Sequence, residues 1–539
     1  MRTRSFSNFK ATRWRVSTQT YFPGQRYCQQ SPVARFSSSS TTLRKEWTPH
    51  ALKPLGQDSQ IRSSLKENHG IVSETLHTAY VALGSNLGDR IGMIERACNE
   101  MVTRGIKIKR TSSLWETEPM YVLDQASFIN GVCEVSISVE TTLKPLALLD
   151  QLQSIEKAMD RKKIIDKGPR NIDLDILLYD AEVVKHERLQ IPHALMLERE
   201  FVLRPLAELI PGTAIDPKSP WKMTQDYLNA LPESEGVSTV TPLTPEMEPL
   251  RALKVDRKTQ VMSIINITPD SFSDHRALDT VKNTVSEIVA SVQNKAVAIV
   301  DIGGQSTAPG ATHVVPSTEA IRVQPLIKQL QGHRSLMELA RKHFAISIDT
   351  FYASVARAAI SSGADIINDV SAGAMDPHML DVMARSGKTV ILMHMRGTPA
   401  TMNQLTDYPD GLIPTIAAEL LQRIAAAEGA GVRRWRIILD PGIGFAKTAA
   451  QNLEVLQRLD ELRHWPGLIG FPWVVGSSRK GFIGNITGVQ RPDQRLMGTA
   501  ATVAAAVQGG ADIVRVHDAE EMAQVTKMAD AIWRHAIRS

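Results

Sequence analysis

The chain is predicted to fold as two unlike α/β domains, a ferredoxin-like α/β sandwich followed by a (β/α)8 TIM barrel. Three features carry that expectation. Patterns between Thr78 and Tyr179 follow the order β-α-β-β-α-β. From Val261 onward, eight short apolar runs are mostly separated by helical patterns, and most end in polar or glycine residues. A proline-rich, polar stretch near residues 233–257 reads as the linker between the two.

A length of 539 residues leaves room for two or three domains. Hydrophobic residues make up 43% and charged residues 22%, both ordinary values. No apolar run approaches the roughly 18 residues that a membrane span needs, so no membrane partner is expected. Nine of the 62 basic residues and none of the 57 acidic ones fall within residues 1–45, which turns a formal +5 into −4 for the remainder. That mild acidity argues against nucleic acid as a partner. Cys28, Cys98 and Cys133 show no paired spacing, which suggests a reducing compartment.

Residues 1–45, rich in Arg and Ser and free of Asp and Glu, read as a mitochondrial transit peptide cleaved near Phe36, with the matrix as destination. Residues 46–77 read as a spacer. The first domain spans 78–232. Thr78–Asn86 is a strand ending in a glycine turn, and the helix after it reaches about Arg104. Ile106–Thr117 is a second strand. Phe128–Glu140 alternates with period two, which predicts a strand with one buried face. Leu143–Met159 is an amphipathic helix, and the segment from Gly168 to Tyr179 closes the pattern. A short helix is expected near Trp221–Leu231.

The barrel spans 258–539. Val261–Ile267 is too short for a typical helix and rich in β-branched residues, so it reads as a strand, stopped by Pro269. Strands are expected near 261–266, 298–303, 345–349, 365–370, 389–394, 436–440, 473–477 and 512–517.

In Ile172-Asp173-Leu174-Asp175-Ile176 the side chains alternate, so both aspartates leave the core on one face, roughly 7 Å apart at Cα. Two carboxylates at that spacing suit one or two Mg²⁺ ions, which prefer oxygen ligands and substrate phosphates. Alone, such a pair is more often a solvated surface. Here Arg161, Lys163, Arg170, Arg188, His193 and Arg199 fall within about forty residues, and guanidinium groups match phosphate oxygens. Together they suit a polyphosphate. No G-x-x-x-x-G-K-[ST] loop is present, which argues against a P-loop kinase.

Ala82-Leu-Gly-Ser-Asn86, Gly168-Pro-Arg-Asn-Ile-Asp-Leu-Asp175 and Ile191-Pro-His193 with Arg199 resemble 6-hydroxymethyl-7,8-dihydropterin pyrophosphokinase over about residues 78–215. The resemblance implies transfer of pyrophosphate from ATP, the co-substrate, to the pterin hydroxymethyl group, releasing AMP. It implies that Asp173 and Asp175 hold Mg²⁺ and that Arg161, Arg170, His193 and Arg199 hold ATP phosphates. Asn130 would read the pterin edge, Phe128 and Phe201 would sandwich the ring, and Thr117 and Met120 would line the slot. Lys167 stands where some members carry tryptophan.

The barrel's strand ends carry Asn266, Asp301, Asp349, Asn368 with Asp369, His394, Asp440, Ser478-Arg-Lys480, and Arg515 with His517. Polar groups at every strand end are hard to explain without a ligand, because desolvating them unpaired costs several kcal/mol. Arg515 and His517 share one face of the last strand and, with Lys480, form a cationic corner where this fold often binds phosphate. Asp349, Asn368 and Asp440 supply acceptors for a ring that bears amino and N–H donors.

This set resembles dihydropteroate synthase over about residues 258–539, through Asn266-Ile-Thr-Pro-Asp-Ser-Phe-Ser-Asp274, Leu439-Asp-Pro-Gly-Ile-Gly-Phe445, Ser478-Arg-Lys480 and Arg515-Val-His-Asp518. The resemblance implies that pterin pyrophosphate condenses with p-aminobenzoate. Asn266 would be a Mg²⁺ ligand. Asp349, Asn368, Asp440, Lys480 and Arg515 would bind the pterin, with Met393 and Phe445 lining the slot. Asn266, Thr307, Ser478, Arg515 and His517 would face pyrophosphate or p-aminobenzoate. Three departures stand out. Ala308 replaces an arginine usual in the second loop, Gly481 a polar residue, and His275-Arg276 a glycine pair. The first of these predicts weaker p-aminobenzoate binding than in an Ala308→Arg variant.

The expected protein is therefore a bifunctional folate-pathway transferase with catalytic residues Asp173, Asp175, Arg161, Arg170, Lys480, Arg515 and His517. Its partners are small-molecule substrates, and by analogy with barrels of this kind a homodimer through the barrel is expected. Roughly thirty residues before the first domain leave no room for the aldolase that some relatives carry. Two rivals remain: an active kinase with a barrel reduced to pterin binding, and a phosphosugar barrel enzyme with a regulatory ferredoxin-like domain.

Overall fold

The computed structural model describes residues 76–120, 124–138, 144–161, 168–232, 234, 236–267, 277–306, 314–338 and 344–534. The expected transit peptide and spacer, apart from residues 76 and 77, fall outside them, as do Lys163, Lys167, His275, Arg276, Thr307 and Ala308. Among the described residues, no helix is long and apolar enough to cross a membrane.

The first domain is an antiparallel sheet whose order is Asp173–Tyr179, Leu76–Ser85, Phe128–Ser138, Leu114–Thr117 and Ser238–Val240, with Lys107–Thr111 also pairing to Phe128–Ser138. One face is covered by helices Arg90–Thr103 and Pro145–Ala158, through Ile94, Ala97, Met101, Leu148, Leu152 and Ile155. The central strand was expected to bury one face. It buries both, because helix Glu200–Leu209 packs Leu203 and Leu206 near Val132 on the other side. The single second strand expected over 106–117 is broken into two. At the break the Ser113 N–H donates to Glu208 Oε2 at 2.6 Å instead of continuing the ladder.

The eight parallel strands of the barrel are Gln260–Asn266, Ile299–Gly303, Ala345–Asp349, Ile366–Asp369, Thr389–Met393, Ile437–Asp440, Val474–Val475 and Ile513–Val516. A bridge between Leu439 and Trp473 links the sixth strand to the start of the seventh and closes the ring. Register decides where the polar ends meet. Asn266 pairs with Gly303, Gly303 with Asp349, and Asp349 with Asn368, so these residues share one layer at the rim.

The stretch expected to be only a linker is built into both domains. Ser238–Val240 extends the first sheet, while Leu243 and Leu250 join Met262, Ile299, Ile366 and Ile391 in the floor of the barrel. A proline-rich composition hides this role, because two apolar residues in a polar stretch carry no periodic signal.

The first domain also grips the segment before the sixth barrel strand. Trp435, 1% exposed, packs in the first domain's core. Glu95 accepts from Trp435 Nε1 at 2.6 Å and Arg436 Nε at 3.0 Å, and it pairs with Arg433. Glu95→Ala would leave two guanidinium groups and an indole N–H short of a partner, at a cost on the order of 3 kcal/mol. Burial resists ionisation of Glu95, but Arg436, Arg433 and Trp435 hold its pKa below the ordinary value. The stability it contributes is present above the unfolded pKa and lost as pH falls through the folded one. Chemical unfolding is expected to show the deficit at pH 7, and a smaller one in strong acid.

Candidate active sites

In the first domain, Asp173 sits at the start of its strand opposite Gly84. Its carboxylate accepts from Arg170 Nη2 at 2.7 Å and pairs with Arg161. Arg161 in turn donates to Glu156 at 2.5 Å, and Glu156 accepts the Leu174 N–H at 2.9 Å. Burial first, and then the charge of Asp175, raises the Asp173 pKa against the pull of Arg170 and Arg161. Two carboxylates in this state fit a hard cation with phosphate co-ligands. The buried Arg161 Nε and Arg170 Nε, which have no hydrogen-bond partner among the described residues, fit phosphate oxygens. One cavity is lined by Gly84, Asp173, Asp175, His193 and Arg199. A contiguous one is lined by Thr117, Met120, Phe128 and Phe201, and the two share Asn130, Arg170, Arg199 and Phe201.

The ring slot is made by neighbouring strands. Asn130 Nδ2 donates to Thr117 Oγ1 at 2.8 Å, across the 114–117 and 128–138 pair. Arg170 lies 5.3 Å from the Phe128 ring centroid, and Arg199 lies 5.6 Å from that of Phe201. Gln125 and Glu118 also line this slot, and both escaped sequence reasoning. Asn86 carries the local order, since its Nδ2 donates to Gln125 and its Oδ1 accepts the Arg170 N–H. Arg188, expected to hold phosphate, does not come to the site. It donates to Asp150 and Gln153 on helix Pro145–Ala158 and lines neither cavity.

The barrel mouth holds a cavity of about 690 Å³ lined by Asn266, Asp349, Phe445, Ser478, Lys480, Arg515 and His517, among others. Arg515 is its electrostatic centre. Nε donates to Asp301 Oδ2 at 2.6 Å and Nη2 to Asp349 Oδ2 at 2.5 Å. Asn368 Nδ2 adds a bond to Asp301 at 3.1 Å. Asp301, given no ligand role from sequence, is thus the buried counter-ion that aims Arg515. Asp349 Oδ1 is buried with no hydrogen-bond partner among the described residues, which leaves an acceptor for a donor from a ligand. Burial raises Asp349 to about 7 and Asp440 to about 6, and lowers Lys480 to about 8. Asn368, Met393 and Asp440 are buried in the wall rather than along the cavity.

Lys480 Nζ lies 4.2 Å from the Phe445 ring centroid, so cation and ring close one side of the slot. Gly444 must be glycine here. At φ +79° it adopts a left-handed backbone, and a Cβ would meet Lys480 Cδ at 2.9 Å. His517 corrects the expected cationic corner. Burial, with Arg479 and Arg515 nearby, lowers it to about 4, so it is neutral at pH 7, while Ser478 Oγ sits 3.0 Å from Nδ1. An anion bound there would pull a proton onto the ring. Calorimetry in buffers of unequal ionisation enthalpy is expected to show more proton uptake on pyrophosphate binding in wild type than in His517→Asn.

Two family models match the chain. One is described as 7,8-dihydro-6-hydroxymethylpterin-pyrophosphokinase and matches residues 80–211; the other is described as pterin binding enzyme and matches residues 262–517. The class is thereby defined: a pterin pyrophosphokinase domain followed by a pterin-binding barrel. The mitochondrial folate synthesis bifunctional protein of Arabidopsis thaliana is 36% identical over 96% of this chain and 93% of its own length. The folic acid synthesis protein fol1 of Pneumocystis carinii is 42% identical over 88% of this chain, which spans only 62% of that protein. A crystal structure of Plasmodium falciparum HPPK-DHPS with pterin and p-hydroxybenzoate superposes with a TM-score of 0.70 at 22% identity, over 86% of this chain and 98% of that one, and supports the fold. The chain belongs to the family of bifunctional folate synthesis proteins.

Proposed function

We propose that the chain makes 7,8-dihydropteroate in two steps on two sites. The first domain moves pyrophosphate from ATP to 6-hydroxymethyl-7,8-dihydropterin and releases AMP. The barrel then joins the pterin pyrophosphate to p-aminobenzoate and releases pyrophosphate. The observation that carries this reading is the pairing, in each domain, of a ring slot with its own phosphate-binding cations.

In the first site, Asp173 and Asp175 would hold Mg²⁺, which when bound neutralises polyphosphate charge and orients it. Arg161, Arg170, His193 and Arg199 orient the phosphates, while Phe128 and Phe201 flank the ring that Asn130 reads. In the barrel, Asp349 accepts from the ring's amino and N–H groups, Asp440 backs the slot from within its wall, and Lys480 and Phe445 close over the ring. The C–O bond to pyrophosphate breaks, and Arg515, with Ser478 and His517, takes up the charge that leaves. The aryl amine forms the new C–N bond and gives up a proton. Asn266, at the rim, suits a cation on the leaving group. ATP and Mg²⁺ complete the set of small molecules, and a homodimer through the barrel remains part of the proposal. The name of the Arabidopsis relative and the composition of residues 1–45 support a mitochondrial location.

The test supplies hydroxymethyldihydropterin, ATP, Mg²⁺ and p-aminobenzoate to the purified chain and follows AMP and dihydropteroate separately. Both products are expected, with dihydropteroate formation from the pterin pyrophosphate lost in Lys480→Ala while AMP release persists. AMP without dihydropteroate in wild type would refute the barrel's role.

A further inference from the structure

Lys447 lines the barrel cavity yet is only 8% exposed. Its Nζ donates to the carbonyl oxygens of Gly442 at 3.0 Å and Phe445 at 3.1 Å, and lies 2.9 Å from His394 Nδ1. His394 Nε2 lies 2.8 Å from Glu419 Oε2, and Arg396 donates to both oxygens of the same carboxylate. These partners set the tautomer: Nε2–H donates to Glu419, and Nδ1 accepts from the ammonium group. All three ammonium donors are then used.

The carbonyls that Lys447 holds belong to a turn that needs holding. Gly442, Gly444 and Ala446 have φ of +69°, +79° and +48°, and the alanine pays a steric cost that glycine would not. A Cβ on Gly442 would come within 1.9 Å of His394 O, so the turn is pressed against the loop that carries His394. Tyr408 from that loop donates to Ala446 O at 2.8 Å, and the Gly442 N–H donates to Asp440 Oδ1 at 2.7 Å.

We propose that Lys447 is a positioning residue for pterin recognition: anchored by His394 and Glu419, it fastens the turn from Asp440 to Ala446 so that Asp440 and Phe445 form one wall of the ring slot. The proposal rests on the synthase reading of the barrel. Burial lowers Lys447 to about 7, against the pull of Asp440 and Glu419 and aided by Arg396 and Lys480. Lys447→Met keeps the length of the side chain and removes its donors, so the Gly442 and Phe445 carbonyls and His394 Nδ1 lose a partner and some stability goes with the clamp.

The experiment uses the full chain, with 6-hydroxymethyl-7,8-dihydropterin pyrophosphate and p-aminobenzoate supplied directly. In Lys447→Met the KM for the pterin pyrophosphate is expected to rise about tenfold, with kcat down less than about threefold and the KM for p-aminobenzoate within about twofold. His394→Gln should shift the same constant in the same direction. AMP release in the same preparations reports that the first domain has folded, and a thermal melt compared with wild type reports the barrel. A loss confined to kcat, or unchanged constants in a folded variant, overturns the proposal. Absence of turnover in wild type would overturn the synthase reading instead. Amide exchange at Gly442–Ala446 would then decide: faster exchange in Lys447→Met supports the clamp, and equal rates overturn it.

Discussion

Arg515→Met is expected to abolish dihydropteroate formation, by about 10³-fold or more, and to destabilise the barrel by on the order of 3 kcal/mol. The reason is the position of Arg515 between two carboxylates, Asp301 at 0% and Asp349 at 7% exposure. Methionine would keep most of the volume and remove the one cation among the described residues that is bonded to both. On the proposed mechanism the synthase would lose its main stabiliser of departing pyrophosphate, and two buried acids would lose their counter-ion. The stability gap should depend on pH. Burial raises Asp349 to about 7 even with Arg515 beside it, so the wild type loses stability as pH climbs from the ordinary carboxyl value to about 7, and the loss levels off above it. Without Arg515 the folded pKa rises further, and the deficit relative to wild type widens above pH 7. Urea midpoints at pH 6 and pH 8 test this. An equal deficit at both would show that packing, not charge, is what Arg515 supplies.

Asp173→Asn should separate activity from stability in the opposite sense. AMP release is expected to fall by about 10³-fold, because the variant loses one of two carboxylates for the cation and the anchor that orients Arg161 and Arg170. Stability should hold or rise. The pKa of Asp173 is raised by burial and by Asp175, so its ionised form costs stability once pH exceeds the ordinary carboxyl value. The amide removes that cost, and Arg161 keeps Glu156 as a partner. A folded Asp173→Asn chain that releases AMP at more than about a tenth of the wild-type rate would remove Asp173 from the catalytic set.

Local chemistry was legible where it follows from period and punctuation. A strand alternates strictly, so Asp173 and Asp175 share a face whatever surrounds them, as do Arg515 and His517. Each short apolar run that stops at a polar residue marks a strand end, and all eight barrel strands lie within or within one residue of their expected ranges. Residues brought together by register or by long-range packing were not legible. Asp301 and Arg515 are 214 positions apart, and nothing near either announces the other. Arg188 looked like its cationic neighbours, but its fold position turns it to Asp150.

The sequence by itself therefore determined the domain order, the strand ends that carry polar groups and the residue types each site can use, because these depend on neighbours a few positions away. Only the tertiary structure decided which of those groups keep their charge and where they point. It made His517 neutral by burying it among cations, and it gave Arg515 two buried counter-ions. It turned the 233–257 stretch into a sheet edge and a barrel floor. Desolvation and pairing depend on what lies within a few ångströms in space, and only the folded chain brings those partners together.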